Sequence, residues 1–193
     1  MSDDFDLGPA VADAANVLLV APGVGDTADR LCYDVVTADG SRPQHLIGVA
    51  IAGSPTETIQ TWRDRLGPTP SVSCLAVDGV SRSAAGDVPS EVGAAAIEYV
   101  DCSSPIRELG DRISAKLDES TETAVCFDSI TDLQECVGQE AAFEFLHAIG
   151  SRIRTSDATG YYYIDRTVHD EATMTLYSTL FDAVVEVGSD HSE

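Results

Sequence analysis

Lysine is nearly missing from this chain. Lys116 is the only one in 193 residues, and ten arginines bring the basic total to 11 against 33 acidic residues, a formal net charge of −22. The arginines are scattered, and no stretch clusters the cations that bind nucleic-acid phosphates, which argues against a direct nucleic-acid partner. Long apolar runs are also missing: none approaches 18 residues, so no membrane span is expected. The opening "MSDDFDLGPA" has no basic segment ahead of an apolar one. It does not read as a secretory leader, and a cytoplasmic location is the expectation. The cysteines Cys32, Cys74, Cys102, Cys126 and Cys136 include no CxxC pair, which removes zinc-type spacing. Cys32, Cys74 and Cys126 lie in apolar segments and are expected to be small core thiols in a reducing compartment.

Apolar residues make up 44% of the chain and charged residues 23%, a balance that supports one hydrophobic core at this length. Asp outnumbers Glu by 21 to 12. This profile resembles that of proteins from salt-in halophiles, where carboxylates hold hydration and salt screens their repulsion within about 3 Å at 1 M. The acidity therefore reads as adaptation, not as a binding signal.

Short apolar runs alternate with segments of helical period. Strands are expected over 16–20, 46–52, 72–77, 97–100, 124–127, 161–164 and 183–187. A helix is expected over 26–37, where Ala28, Leu31, Cys32, Val35 and Val36 share one face. "SPTETIQTWRDRLG" carries its own punctuation, with Ser54 as N-cap, Pro55 in the first turn, Glu57 at the third position and Gly67 as the stop. Trp62 shares a face with Ile59 and Leu66 and is expected in the core. "SPIRELGDRISAKL" places Ile106, Leu109, Ile113 and Leu117 on one face, and further helices are expected over 139–154 and 171–180. "DGVSRSAAGDVPSEVGAA" reads as a loop. Such alternation predicts a mostly parallel sheet with helices on both faces, with ligands at the carboxyl ends of the strands. The expected organisation is a polar tail over 1–14, one domain over 15–188, and a polar tail over 189–193.

"VLLVAPGVGDTADRL" has the layout of a phosphate-binding loop: an apolar strand, a Gly-rich turn, then a helix. Aligned with G-x-x-x-x-G-K-[ST], its positions are Val20, Ala21, Pro22, Gly23, Val24, Gly25, Asp26 and Thr27. The second glycine and the hydroxyl are kept. Val20 stands for the first glycine, and Asp26 for the lysine that reaches the β and γ phosphates. Two unit charges about 4 Å apart exchange roughly 4 kcal/mol at an effective dielectric near 20, so reversing one beside a polyanion is a large penalty. Asp26 reads as a first-turn carboxylate answering the helix dipole. A second strand, "TAVCFDSI", ends in Asp128 and Ser129, where phosphate-loop enzymes keep an aspartate that supports Mg²⁺.

With both motifs in this order, the chain resembles the RecA/KaiC-type phosphate-loop superfamily, and more narrowly a haloarchaeal family of degenerate KaiC-like proteins. The resemblance rests on "NVLLVAPGVGDT", "TWRDRLG", "SSPIRELGDRISAKL", "CFDSITDL", "FEFLHAIGSRIR", "GYYYIDRTVHDEATMTL" and "FDAVVEV", which cover most of the chain in order. It implies a three-layer RecA-like α/β fold in which the strand ending at Asp165 lies between the strand leading to Gly23–Thr27 and the strand ending at Asp128. It also implies an acidic general base after the second strand, where this chain has Ala52, Gly53 and Ser54.

The expected function is therefore a non-catalytic pseudo-ATPase domain, acting in regulation or assembly through a protein partner or a homo-oligomer, with no cofactor. One alternative is a residual nucleotide binder or slow ATPase, using ATP and Mg²⁺. Another is a divalent-metal protein using Asp26, Asp128, Asp165 and His169, since hard carboxylates suit Mg²⁺, Ca²⁺ or Mn²⁺. His147, among Phe143, Leu146 and Ile149, is expected to be a packed core histidine. Tyr161, Tyr162 and Tyr163 are expected to alternate across a strand as packing residues.

Overall fold

A computed structural model of the chain describes residues 11, 13–23, 26–37, 43–66, 70–78, 96–119 and 122–187. The expected loop across 79–95 and most of both tails lie outside the described residues. Seven strands form one sheet: β1 (Asn16–Ala21), β2 (His45–Ile51), β3 (Ser71–Asp78), β4 (Ala96–Asp101), β5 (Thr123–Asp128), β6 (Thr159–Asp165) and β7 (Ala183–Glu186). Their order is β4-β3-β2-β5-β6-β1-β7, and every pair is parallel. The helices are α1 (Asp26–Thr37), α2 (Pro55–Leu66), α3 (Arg107–Glu119), α4 (Ile130–Val137), α5 (Gln139–Thr155) and α6 (Glu171–Ser178). A 3₁₀ turn spans Arg166–Val168.

The central strands explain their own composition. β1 and β2 are buried along their whole length, and β5 along all but its last residue. A parallel sheet covered on both faces wants continuous apolar strands, not alternating ones. On one face, Cys32 and Val36 of α1 and Ile59, Trp62 and Leu66 of α2 pack on β2, β3 and β5. Gly48 of β2 makes room for the indole, because a Cβ there would stand 3.1 Å from the Trp62 ring. On the other face, Leu109, Ile113 and Leu117 of α3, Leu133 of α4, and Phe145, Leu146, Ile149 and Ile153 of α5 join the core with Ile47, Leu75, Phe127 and Tyr162. The result is the expected three-layer α/β architecture. The tyrosines alternate as expected: Tyr162 joins this layer, while Tyr161 and Tyr163 pack toward α1.

Four expectations are corrected. Helix α4 has no counterpart in the sequence reading. "DSITDLQECVG" does carry the signals for it: Ser129 caps the helix by accepting from the Asp132 N–H at 3.0 Å, and Gly138 ends it. His147 is exposed, because the buried arc of α5 runs through Ala142, Phe145, Leu146, Ile149 and Ile153 and leaves position 147 outside it. The cysteines are not all simple core thiols. Cys32 is disulfide-bonded to Cys126 and Cys102 to Cys136, while Cys74 is buried outside both pairs. Ala14, assigned to the tail from sequence, is also buried.

At the amino end of the sheet, Asn16 is fully buried and joins three elements. Its Nδ2 donates to the Gly150 carbonyl of α5 at 3.0 Å, and its Oδ1 accepts from the Tyr162 hydroxyl at 3.1 Å. Its backbone N–H donates to the Asp182 carboxylate at 2.9 Å, and that carboxylate also binds Arg154 at 2.8 Å. Asn16→Ala is expected to lower unfolding free energy by about 2–3 kcal/mol, because two buried polar groups lose their partner. Combining it with Tyr162→Phe should cost less than the sum of the two single changes, measured by denaturant unfolding at constant high salt.

Candidate functional site

The carboxyl edge of the sheet gathers the residues singled out from sequence. β6 pairs with β1 on one side and β5 on the other, so Asp165 stands between the Gly23 turn and Asp128. The strand order implied by the resemblance is therefore the one observed. Asp165 is 2% exposed. Its Oδ1 accepts from the Gly23 N–H at 3.1 Å, the Thr167 N–H at 2.8 Å and the Thr167 hydroxyl at 2.7 Å. Tyr163, two residues earlier on β6, donates its hydroxyl to the Gly23 carbonyl. Gly23 is thus held by both of its backbone polar groups. Its φ of +90° lies in the left-handed region that glycine enters without a Cβ penalty.

Protonation states follow from these contacts. Burial pushes the Asp165 carboxyl up, but the hydrogen bonds from Thr167 and Gly23 and the nearby His169 ring outweigh it and hold the group below the ordinary carboxylate range. Burial, reinforced by the charges of Asp165, Asp128 and Asp132, pushes the Tyr163 phenol up, so it stays a donor at neutral pH. Burial also pulls His169 below its ordinary value, against the pull of Asp165, Asp170 and Glu135. The His169 Nε2 lies 3.0 Å from the Thr131 hydroxyl, which also accepts from the Asp165 N–H at 3.1 Å.

The other predicted positions are distributed as follows. Val20 is buried in the core layer under α3–α5, paired in register with Ile164, so it serves as strand core where an active loop has its first glycine. Gly25 lies outside the described residues. Asp26 and Thr27 open α1, and their side chains lie outside the described set. Asp128 is half-buried at the end of β5. The Ser129 hydroxyl is committed to the α4 cap, accepting from the Asp132 N–H and donating to its carboxylate. Ala52, where the resemblance implied a general base, is exposed with φ +59°, and its N–H donates to the Val77 carbonyl at 3.1 Å. Among the described residues, no group of three or more His, Cys, Asp or Glu is arranged to hold a metal. Sequence reading missed Thr131, Tyr163 and Thr167 as parts of this edge. The Asp-x-Thr spacing in "IDRTV" is the one local signal, since an Asp side chain commonly accepts from the backbone two residues on.

With this geometry in hand, the chain can be placed among known proteins. It belongs to DUF7504, a family of unknown function, whose profile matches residues 14–187. No curated protein matches it. It is similar to a solved protein from Pyrococcus horikoshii OT3, known from a structural study, with a TM-score of 0.52 and 10% identity. The match covers 91% of this chain and 82% of that one. At such identity the likeness shows the fold alone. No helix among the described residues is long and apolar enough to cross a membrane.

Two outcomes test this geometry. Asp165→Asn is expected to lower stability at neutral pH by about 1–2 kcal/mol, the scale of weakened hydrogen bonds to a charged group. A carboxyl with a depressed folded pKa stabilises fully above its unfolded pKa, and that contribution fades as pH falls through the folded value. The gap between wild type and variant should therefore stay constant down to the carboxylate range and close below it, as read by unfolding at a series of pH values. Ala52→Gly is expected to raise stability by about 0.5–1 kcal/mol, because it relieves a left-handed alanine. Thermal unfolding in high salt measures it.

Proposed function

We propose that this protein is a RecA/KaiC-like pseudo-ATPase domain that acts through protein contacts in regulation or assembly, in a halophilic cytoplasm, without turning over nucleotide. The observation that carries this reading is the Asp165 carboxylate on the Gly23 N–H. In a working phosphate loop, backbone N–H groups of this turn meet the phosphate. Here an internal anion already meets one of them. A phosphate arriving at Gly23 has to displace a buried carboxylate that holds two further hydrogen bonds from Thr167. If it binds alongside instead, like charges face each other at close range.

The rest of the edge supports the same reading. Asp26 stands where the lysine of an active loop would be. The only lysine, Lys116, is 9% exposed on α3, and its Nζ donates to Glu98 of β4 at 2.6 Å. β4 is the edge strand farthest in sheet order from β1 and β7, so this cation serves the core and not the loop. At Ala52 no carboxylate is present to orient an attacking water.

The expected result is phosphate release from ATP no faster than a no-protein control, and no saturable binding of a fluorescent ATP analogue with Mg²⁺, both in high KCl. Turnover that is abolished by Asp128→Asn would overturn the reading in favour of a slow ATPase. Saturable binding without turnover would overturn it in favour of a nucleotide sensor.

A further inference from the structure

We propose that Cys102 and Cys136 form a redox-reversible latch on helix α4, while Cys32 and Cys126 form a permanent staple. The two pairs have Cα–Cα separations of 6.0 and 6.2 Å, both within the span a disulfide bridges. Both converge on one segment. Cys126 lies in β5 and Cys136 in the last turn of α4, and between them lie Asp128, Ser129, Thr131 and Asp132. The Cys32 bridge ties this segment to α1, the helix that leaves the Gly23 turn. The Cys102 bridge ties it to the exit of β4.

Exposure separates the two roles. Cys32 and Cys126 are 6% and 4% exposed within the α1–α2 core layer, where an exchanging thiol has no approach. Cys102 and Cys136 are only partly buried, at the margin of the other layer. Accessible disulfides exchange and buried ones persist. Local structure also holds the outer pair in place without the bond. The turn after β4 is closed by Ser104 N–H to the Asp101 carbonyl at 2.9 Å and by Ser103 N–H to the Asp101 carboxylate at 2.7 Å. The Cys136 sulfur lies 3.8 Å from the Cys102 carbonyl, so a thiol there has an acceptor. Both states fit the same fold.

The latch bears on the candidate site through α4. Its first turn carries Thr131, the acceptor for the Asp165 N–H, and Gln134 accepts from the Tyr177 hydroxyl at 2.9 Å. Closing the latch anchors the far end of the same helix. The oxidant is a low-molecular-weight disulfide. One cysteine thiolate attacks it and releases one thiol, the second cysteine thiolate displaces the other, and the two protons leave with the two released thiols.

The test uses the full chain in high salt and needs no nucleotide, so its outcome is independent of the pseudo-ATPase reading. The protein is oxidised with glutathione disulfide, then treated with rising phosphine reductant, and alkylated for mass spectrometry. The expected order is that Cys102 and Cys136 become alkylated in the native protein, while Cys32 and Cys126 become so only with denaturant present. Amide hydrogen exchange across α4 should be about tenfold faster with the latch open. Cys136→Ser should exchange at the open-latch rate whatever the oxidant. The proposal is overturned if Cys102 and Cys136 stay alkylatable after oxidation, if both pairs open only on unfolding, or if exchange across α4 is the same in the two states.

Discussion

The hydrogen bond from the Gly23 N–H to the Asp165 carboxylate organises the carboxyl edge of this protein. It closes the turn after β1 onto the end of β6, and Tyr163 reinforces it by donating to the carbonyl of the same glycine. Asp165 meets the cost of burying a charge through donors from Thr167 and Gly23, which together keep it ionised. An anion held this way acts on the turn as a bound phosphate acts on a phosphate-binding loop. It satisfies a backbone donor at a strand-to-helix junction, so the turn keeps its shape without a ligand.

Around that interaction, several of the described cations pair with carboxylates at the joints of the fold. Lys116 and Arg112 of α3 converge on Glu98 of β4, with Nζ at 2.6 Å from one carboxylate oxygen and Nη1 at 3.1 Å from the other. The hydrogen bond from Lys116 is the largest influence holding Glu98 below the ordinary carboxylate range. Arg154 meets Asp182 next to the buried Asn16, and Arg166 meets Glu186 on the edge strand. In a chain of net charge −22, such pairs place positive charge where strands and helices join.

How much of this was legible in the sequence varies by element. β1, β2 and β5 were plain because a strand buried on both faces must be apolar throughout, and α1 and α2 because their buried residues recur at helical spacing. Helix α4 was overlooked although its Ser129 cap and Gly138 stop are written in the chain. Its eight residues are too few for a convincing period, and only Ile130 and Leu133 are fully buried. His147 was misplaced because its neighbours Phe143, Leu146 and Ile149 are apolar, and only the rotation of α5 on the sheet decides which of them turn inward. The cysteine pairs had no signature, since their partners stand 94 and 34 residues apart.

The sequence by itself determined the fold class and the identity of the residues at the loop positions. Apolar periodicity is a local property, and so is the identity of the residue at a motif position: Asp26 and Ala52 could be read directly. The tertiary structure decided what meets the Gly23 turn. Asp165 lies 142 residues beyond Gly23, and nothing in either neighbourhood announces the contact. It exists because β6 inserts between β1 and β5, a choice made by the packing of the whole sheet. Strand order is set by which pairings bury the most surface on both faces at once, and that sum cannot be read from any one segment.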